Sequence, residues 1–388
     1  MNGNKNMKFV LTHEKIVKIV VFLILFCTYI LPTAEISAEN IYGPPKAIFV
    51  AGIFIMYILT FKKCSLKELL FGILVVFMTI YTKEINYLMF ITIMFLDKLI
   101  EYKDYIKNYL KKSNILYICL IFTLLYSALY FGQNNRYAHT SIKEINQSGL
   151  AIFCLGVLLF QKNRKIAVFT LAFGCLTLSR SYLLAIVCML IFKTNFAKKI
   201  FTEKIISKLN YTNLTIISSI GLFLLGIFYI MQYKMGNIVF GSNEVNRLFT
   251  LLDLSNFFRF SAVIIVVLCF KNNLSKLLTG ITDAEYIEFG QATANELGII
   301  YRVTVPHNLF FSHLKIYGIF AVFEIMYTSS ILKKITNSNN FGIYIGIALY
   351  SILLGAGFYS YWLYLSVFVL IANMGEVELN EKEKLNNC

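Results

Sequence analysis

Charge is scarce in this sequence and acid scarcest: of 388 residues 15% are charged, 21 of them acidic against 36 basic. Soluble domains carry charge on roughly a quarter of their residues, whereas here 58% of residues are hydrophobic and 16% aromatic. A water-soluble globule of this length could not hide so much apolar surface, so an aqueous architecture is excluded. Signatures of metal, redox and nucleotide chemistry are also missing. The chain has no CxxC, no His-rich metal spacing, no GxxxxGK[ST] phosphate loop and no DxD for a metal-bound nucleotide sugar. No metal and no cofactor is implied, and a nucleotide-driven pump is disfavoured. The eight cysteines offer no disulfide framework. Cys27, Cys119, Cys154, Cys175, Cys188 and Cys269 lie inside apolar runs as small hydrophobes, and Cys64 and Cys388 flank lysine-rich segments.

What the chain does have is apolar runs of roughly 15–22 residues, suited to a hydrocarbon core about 30 Å thick. They fall near 16–34, 47–61, 66–82, 85–97, 114–132, 148–161, 166–178, 182–192, 213–231, 308–332, 342–355 and 358–373. The short alternating strands of a closed barrel are absent. The pattern predicts an all-α polytopic membrane protein, a single integral domain over 1–388 with about twelve transmembrane helices. The first run resembles a signal peptide, but Leu31-Pro32-Thr33-Ala34-Glu35 is a poor cleavage site, so it reads as an uncleaved helix.

Lysine sets the direction. Clusters at Lys5–Lys18, Lys62–Lys67, Lys98–Lys112, Lys162–Lys165, Lys193–Lys208 and Lys333–Lys334 all fall on one side if twelve spans alternate. By the positive-inside bias that side is the cytoplasm, with both termini in it. Lysines facing anionic lipid account for most of the net charge of +15, and nucleic-acid binding is not needed. The opposite face then carries a long extracytoplasmic loop, about 232–306, between the ninth and tenth helices. Its apolar patch Phe257–Phe270 would lie along the interface or dip in partway. A full span there would invert everything downstream, which Lys333 and Lys334 argue against.

The arginines do not follow the lysines. Of six, only Arg164 is cytoplasmic; Arg136, Arg180, Arg247, Arg259 and Arg302 all fall on the outer face. Singly, each suits interfacial snorkelling or a surface ion pair. Together they suggest something else, because a guanidinium is a planar fork of donors that matches phosphate oxygens and stays charged at a low-dielectric surface. Arg180, in the short hairpin "LTLSRSYLLAIV" (176–187), sits below the outer surface, where an ionisable group points to function. "PHNLFFSHLKIYGIF" (306–320) places His307 and Asn308 at the outer mouth of the tenth run, with Pro306 suited to a helix start. His307 can take a proton near neutral pH, and Asn308 can orient it or bind a sugar hydroxyl. His313 is rotated away from His307 around the helix, which disfavours a shared zinc site. His139, beside Arg136, is a weaker candidate base.

These segments resemble, in order and sidedness, the O-antigen polymerase and O-antigen ligase superfamily of bacterial envelope enzymes. The resemblance covers roughly 130–330: "NNRYAHTSIKEINQSGLAIFCLG" (134–156), the Ser-Arg hairpin, "FFRFSAVIIVVLCFKNNLSKLLTGIT" (257–282) and the His-Asn helix with Gly318 ten residues past Asn308. It implies a bacterial cytoplasmic-membrane glycosyltransferase, metal-independent, acting on undecaprenyl-diphosphate-linked oligosaccharide. His307 would be the catalytic base, and Arg136, Arg180 and Arg259 the diphosphate contacts. One departure from the family's pattern is that Arg136, Arg247 and Arg259 lack the paired Arg-x10-Gly spacing of some polymerases. The large arginine set favours two lipid-linked substrates and hence a repeat-unit polymerase over a ligase. A flippase for the same lipid-linked units is the rival from another class. A chain-length regulator would be a further partner, one that leaves no mark in the sequence.

Overall fold

The computed structural model describes residues 13–32, 48, 51–53, 55, 66–82, 87, 89–132, 137–141, 145–193, 203–239, 252–302, 306, 308–354 and 361–374. Regular structure among them is helical, apart from one isolated bridge between Val239 and Asp253. Helix α1 (His13–Leu25) continues into a π turn at Phe26–Ile30; α2 (Leu66–Thr82), α3 (Met89–Leu99), α4 (Lys103–Lys112) and α5 (Ile115–Leu129) follow. Next come α6 (Ile145–Leu159), α7 (Arg164–Gly174), α8 (Arg180–Lys193), α9 (Glu203–Lys208) and α10 (Tyr211–Lys234). The C-terminal half holds α11 (Leu254–Asn272), α12 (Lys276–Thr279), α13 (Asp283–Leu297), α14 (Leu309–Tyr317), α15 (Phe320–Ile335), α16 (Phe341–Leu354) and α17 (Tyr361–Ala372).

Local chemistry explains many of the boundaries. Side chains of Asn163, Asn210, Asp253 and Asn308 accept backbone N–H bonds at the starts of α7, α10, α11 and α14, and Thr282 with Glu285 forms a capping box on α13. Within the helices, Thr28, Thr123, Thr170 and Thr215 each donate to the carbonyl four residues earlier. That satisfies a hydroxyl where no water can. The π turn leaves carbonyls without their usual partners. Ser141 Oγ donates to Thr28 O at 2.8 Å, and the Tyr126 hydroxyl to Ile30 O at 2.8 Å.

Rows of large apolar side chains face outward, including Leu70, Ile73, Phe77 and Ile80 on α2 and Ile216, Ile217, Ile220 and Leu224 on α10. Removing each from water is worth about 1.5–3 kcal/mol, which suits a lipid surround. Among the described residues, α10 and α11 are long and apolar enough to cross a membrane alone. A third candidate is the pair Phe90–Lys112 and Ile115–Leu129, bent by 61°. Most of the other apolar runs form shorter helices.

Two features of the chain differ from the sequence expectation. The expected run 308–332 is two helices, α14 and α15, broken at Gly318, whose φ of 56° and ψ of −137° end α14. More importantly, the expected loop 232–306 contains α11 and α13. Helix α11 runs antiparallel to α10: Tyr233 stacks on Phe257 at 4.6 Å, Tyr229 meets Phe260 at 4.9 Å, and Gly226 admits the Phe260 carbonyl and Ile264. A Cβ at Gly226 would lie 2.7 Å from that carbonyl oxygen. Continuing this register sets Asn272 opposite Ser218, about 10 Å short of the start of α10 by helix rise. Helix α13 then packs against α11, and the chain returns until the Arg302 guanidinium lies over the Phe258 ring. The patch Phe257–Phe270 is therefore the heart of a helix that dips along α10, followed by a return. The descent and the return offset each other, so Lys333 and Lys334 stay at the end where the other lysines gather.

That lysine end is recognisable from contacts. Lys107 Nζ donates to Met374 O at 2.8 Å, Lys334 pairs with Asp97 at 2.6 Å, and Gln161 Nε2 reaches Asn373 Oδ1 at 3.4 Å. Lys18 lies over Tyr105 and Lys162 over Tyr117. Helix α8 packs tightly and antiparallel on α16, where Gly342 and Gly346, four residues apart, let the backbones approach. A Cβ at Gly346 would sit 2.9 Å from Ala185 O. This contact holds the first turn of α8 in place at the opposite end.

Candidate functional site

The site is built on the turn between α7 and α8. Leu178 there has φ 51° and ψ 29°, the only positive φ among the described non-glycine residues. A left-handed leucine costs roughly 1–2 kcal/mol and persists only where surroundings enforce it. Several bonds do so here. Leu178 N bonds Cys175 O at 3.0 Å, Thr177 Oγ1 donates to Gly174 O at 2.8 Å, and Tyr137 N donates to Leu176 O at 3.2 Å. The turn delivers Arg180 as the first residue of α8.

Arg180 reaches the start of α11. One guanidinium nitrogen lies 3.4 Å from Asp253 Oδ2, with 35% of the arginine side chain exposed and 3% of the aspartate's. The other oxygen of Asp253 caps α11, accepting from Asn256 N at 2.6 Å. Asn256 in turn bonds the Tyr229 side chain from α10. The bridge to Val239 fixes the approach: Val239 N donates to Leu252 O at 2.8 Å and Leu254 N to Val239 O at 3.2 Å. One buried carboxylate thus caps a helix and holds a half-exposed guanidinium.

Two more arginines stand at this end of α11. Arg259, half-buried, is three residues beyond Asn256 and so shares its side of the helix. Arg302 is exposed, its guanidinium carbon 5.9 Å from the Phe258 ring centroid, a stacking that keeps the fork oriented. An open cavity of about 420 Å³ lies by the Tyr233–Phe257 contact, lined by Tyr233, Lys234, Gly236, Ile238 and Gly298. Three forked cations at one end of a helix can bind a polyanion with phosphoryl oxygens.

Of the residues expected from the sequence, Arg180, Arg259 and Arg302 are brought to one end of α11. Arg136, Arg247 and His307 lie outside the described residues. Asn308 is not with the arginines. It is fully buried and caps α14, accepting from Phe311 N at 3.1 Å and from Ser219 Oγ at 3.2 Å. Ser219 precedes Tyr229 by ten residues on α10, so Asn308 sits ~15 Å deeper along that helix. Among the described residues its buried Nδ2 has no hydrogen-bond partner, an orphan donor of the kind that calls for a ligand or water. The backbone of His139, the weaker candidate base, is locked onto Ser127 Oγ, and the residue is buried.

Sequence reasoning missed Asp253, Asn256 and Tyr229. An aspartate immediately before an apolar run is a helix-start signal and could have exposed α11 as a helix. It also missed the buried pair of His313 Nδ1 and Glu324 Oε2, 2.5 Å apart, which ties α14 to α15. Glu324, the lone acid in its apolar run, carried the signal, since such a group needs a partner. The chain matches no protein-family model, no curated protein and no solved structure.

Proposed function

We propose that this protein is a polysaccharide repeat-unit polymerase of the cytoplasmic membrane, working at the outer face. It transfers a glycan from undecaprenyl diphosphate to a sugar hydroxyl of another lipid-linked repeat unit. In this reading about twelve spans place the lysine end in the cytoplasm and the arginine end outside. Arg180, Arg259 and Arg302, with Arg136 and Arg247, grip the diphosphate. His307 takes the proton of the attacking hydroxyl as its oxygen bonds the anomeric carbon. The bond from that carbon to the diphosphate oxygen breaks, and lipid diphosphate leaves with the electron pair. The arginines stabilise the charge growing on it. Asn308, buried below the arginines, caps the helix that follows His307 and so positions the base without touching the substrate.

The observation that carries this reading is the segregation of cations. Arg180, Arg259 and Arg302 stand at the start of α11, with Arg180 held by the buried Asp253, whereas Lys18, Lys107, Lys162 and Lys334 make their contacts at the other end of the bundle. A ligase would use the same donor with a lipid-core or protein acceptor, and the flippase reading is the alternative from another class.

The test is glycan length in cells whose only copy carries a substitution. His307→Ala should abolish extension while the protein still inserts, and Arg180→Lys, which keeps charge but loses the fork, should reduce extension about a hundredfold. Ladders of wild-type length from both variants would remove base and fork from the mechanism. Loss of the protein should leave single repeat units outside the membrane; units trapped in the cytoplasm would identify a flippase instead.

A further inference from the structure

At the lysine end, the start of α10 and the end of α15 enclose a cavity of about 270 Å³, lined among others by Leu209, Asn210, Tyr211, Ser329, Lys333 and Asn337. Its polar lining leans toward donors, although the hydroxyl protons of Thr336 and Tyr344 are given to Leu332 O and Leu209 O. Asn210 Oδ1 is taken by Asn213 N at 2.9 Å, and Asn337 Oδ1 by Asn339 N at 3.0 Å and Asn340 N at 3.2 Å. These backbone donors fix which end of each amide is oxygen, so what each asparagine has left to offer is an NH2. Ser329 Oγ likewise accepts from Thr212 N at 3.3 Å and keeps its proton to give.

No carboxylate lines the cavity. Lys333 makes no ion pair among the described residues, whereas its neighbour Lys334 is held by Asp97 at 2.6 Å. The cavity therefore presents a cation, two amide NH2 groups and the Ser329 hydroxyl with no carboxylate against them, a set that suits an oxyanion. Further along α10, Ile216, Ile217 and Ile220 turn an apolar face outward, a surface on which acyl chains can lie.

We propose that this cavity binds a phosphoryl group, supplied by the headgroup of an anionic phospholipid whose tails run along α10. The site is independent of the arginine end and of the reaction assigned there. Basic recesses between helices on the cytoplasmic side suit such headgroups.

The experiment uses the full chain in nanodiscs of phosphatidylcholine doped with phosphatidylglycerol, with retained lipids counted by native mass spectrometry. One phosphatidylglycerol should stay bound per chain in preference to phosphatidylcholine. Lys333→Gln should weaken its retention about tenfold, the scale of one charge-assisted hydrogen bond. Ser338 also lines the cavity, and Ser338→Asp, which leaves Lys333 in place but brings a negative charge to the lining, should do the same. Lys334→Gln should leave retention unchanged, which controls for a general loss of surface charge. Displacement by inorganic phosphate would support recognition of the phosphoryl group itself, and a retained lipid that phosphate does not displace would support the lipid as the source. Equal retention of both lipids by the unsubstituted chain overturns the proposal. So does an equal effect of Lys333→Gln and Lys334→Gln.

Discussion

The two ends of the bundle spend their cations differently. At the lysine end, ammonium groups reach single partners: a carbonyl for Lys107, a partly exposed aspartate for Lys334, and aromatic rings for Lys18 and Lys162. Such contacts are individually weak and tolerate exchange. At the arginine end, Arg180 meets a carboxylate that is itself buried and committed to capping a helix, beside a leucine held in a costly backbone conformation. A point charge suffices for such single contacts, and there lysine serves. Where geometry counts, the chain uses guanidinium and rigid support.

The contrast can be tested by attacking the support of the arginine end. The largest effect is expected from Gly226→Val, because its side chain would meet the Phe260 carbonyl, which cannot move without shifting α11. Overpacking of this kind costs about 1–3 kcal/mol, read as a lowered midpoint of thermal unfolding in detergent. Gly221→Ala on the same helix meets nothing within 4 Å and should be neutral or gain up to about 1 kcal/mol. Equal effects at the two positions would mean that α10 and α11 do not pack as described.

A smaller effect is expected at Asp253. Asp253→Ala removes the cap of α11, worth about 1 kcal/mol, and also releases Arg180. Asp253→Asn keeps an acceptor for Asn256 N and should recover most of the stability but not the hold on Arg180. If the asparagine variant unfolds as readily as the alanine one, the cap is not what stabilises this turn.

The smallest effect sharpens the comparison through pH. Burial disfavours the charge of Glu285, but Lys276 and the backbone and hydroxyl of Thr282 outweigh it and hold the carboxyl below its usual range. A carboxylate with a folded pKa below its unfolded value contributes stability above the ordinary carboxylate range, and the contribution fades as pH falls through the folded value. Glu285→Gln should flatten that part of an acid-unfolding curve. An unaltered acid limb would show that the capping box on α13 carries no charge-dependent stability.

Much of the helical layout was legible in the sequence. Runs near 66–82, 148–161, 182–192, 213–231 and 342–355 reappear as α2, α6, α8, α10 and α16 within a few residues, because apolar runs ended by polar caps leave the backbone little choice. The hairpin carrying Arg180 was legible for the same reason. Helix α11 was not legible as a span-length helix, since Arg259 and Ser261 interrupt its opening turns and polar segments flank it. The role of Asn308 was also hidden, because capping and orienting a base call for the same side chain.

By itself the sequence determined that this chain is helical and strongly apolar, since composition and periodicity act locally and need no partner. Only the tertiary structure decided that α11 dips along α10, that Asp253 holds Arg180, and that Asn308 lies deeper than the arginines. Each of these depends on which helix faces which across a long stretch of chain, and that is settled by side-chain fit.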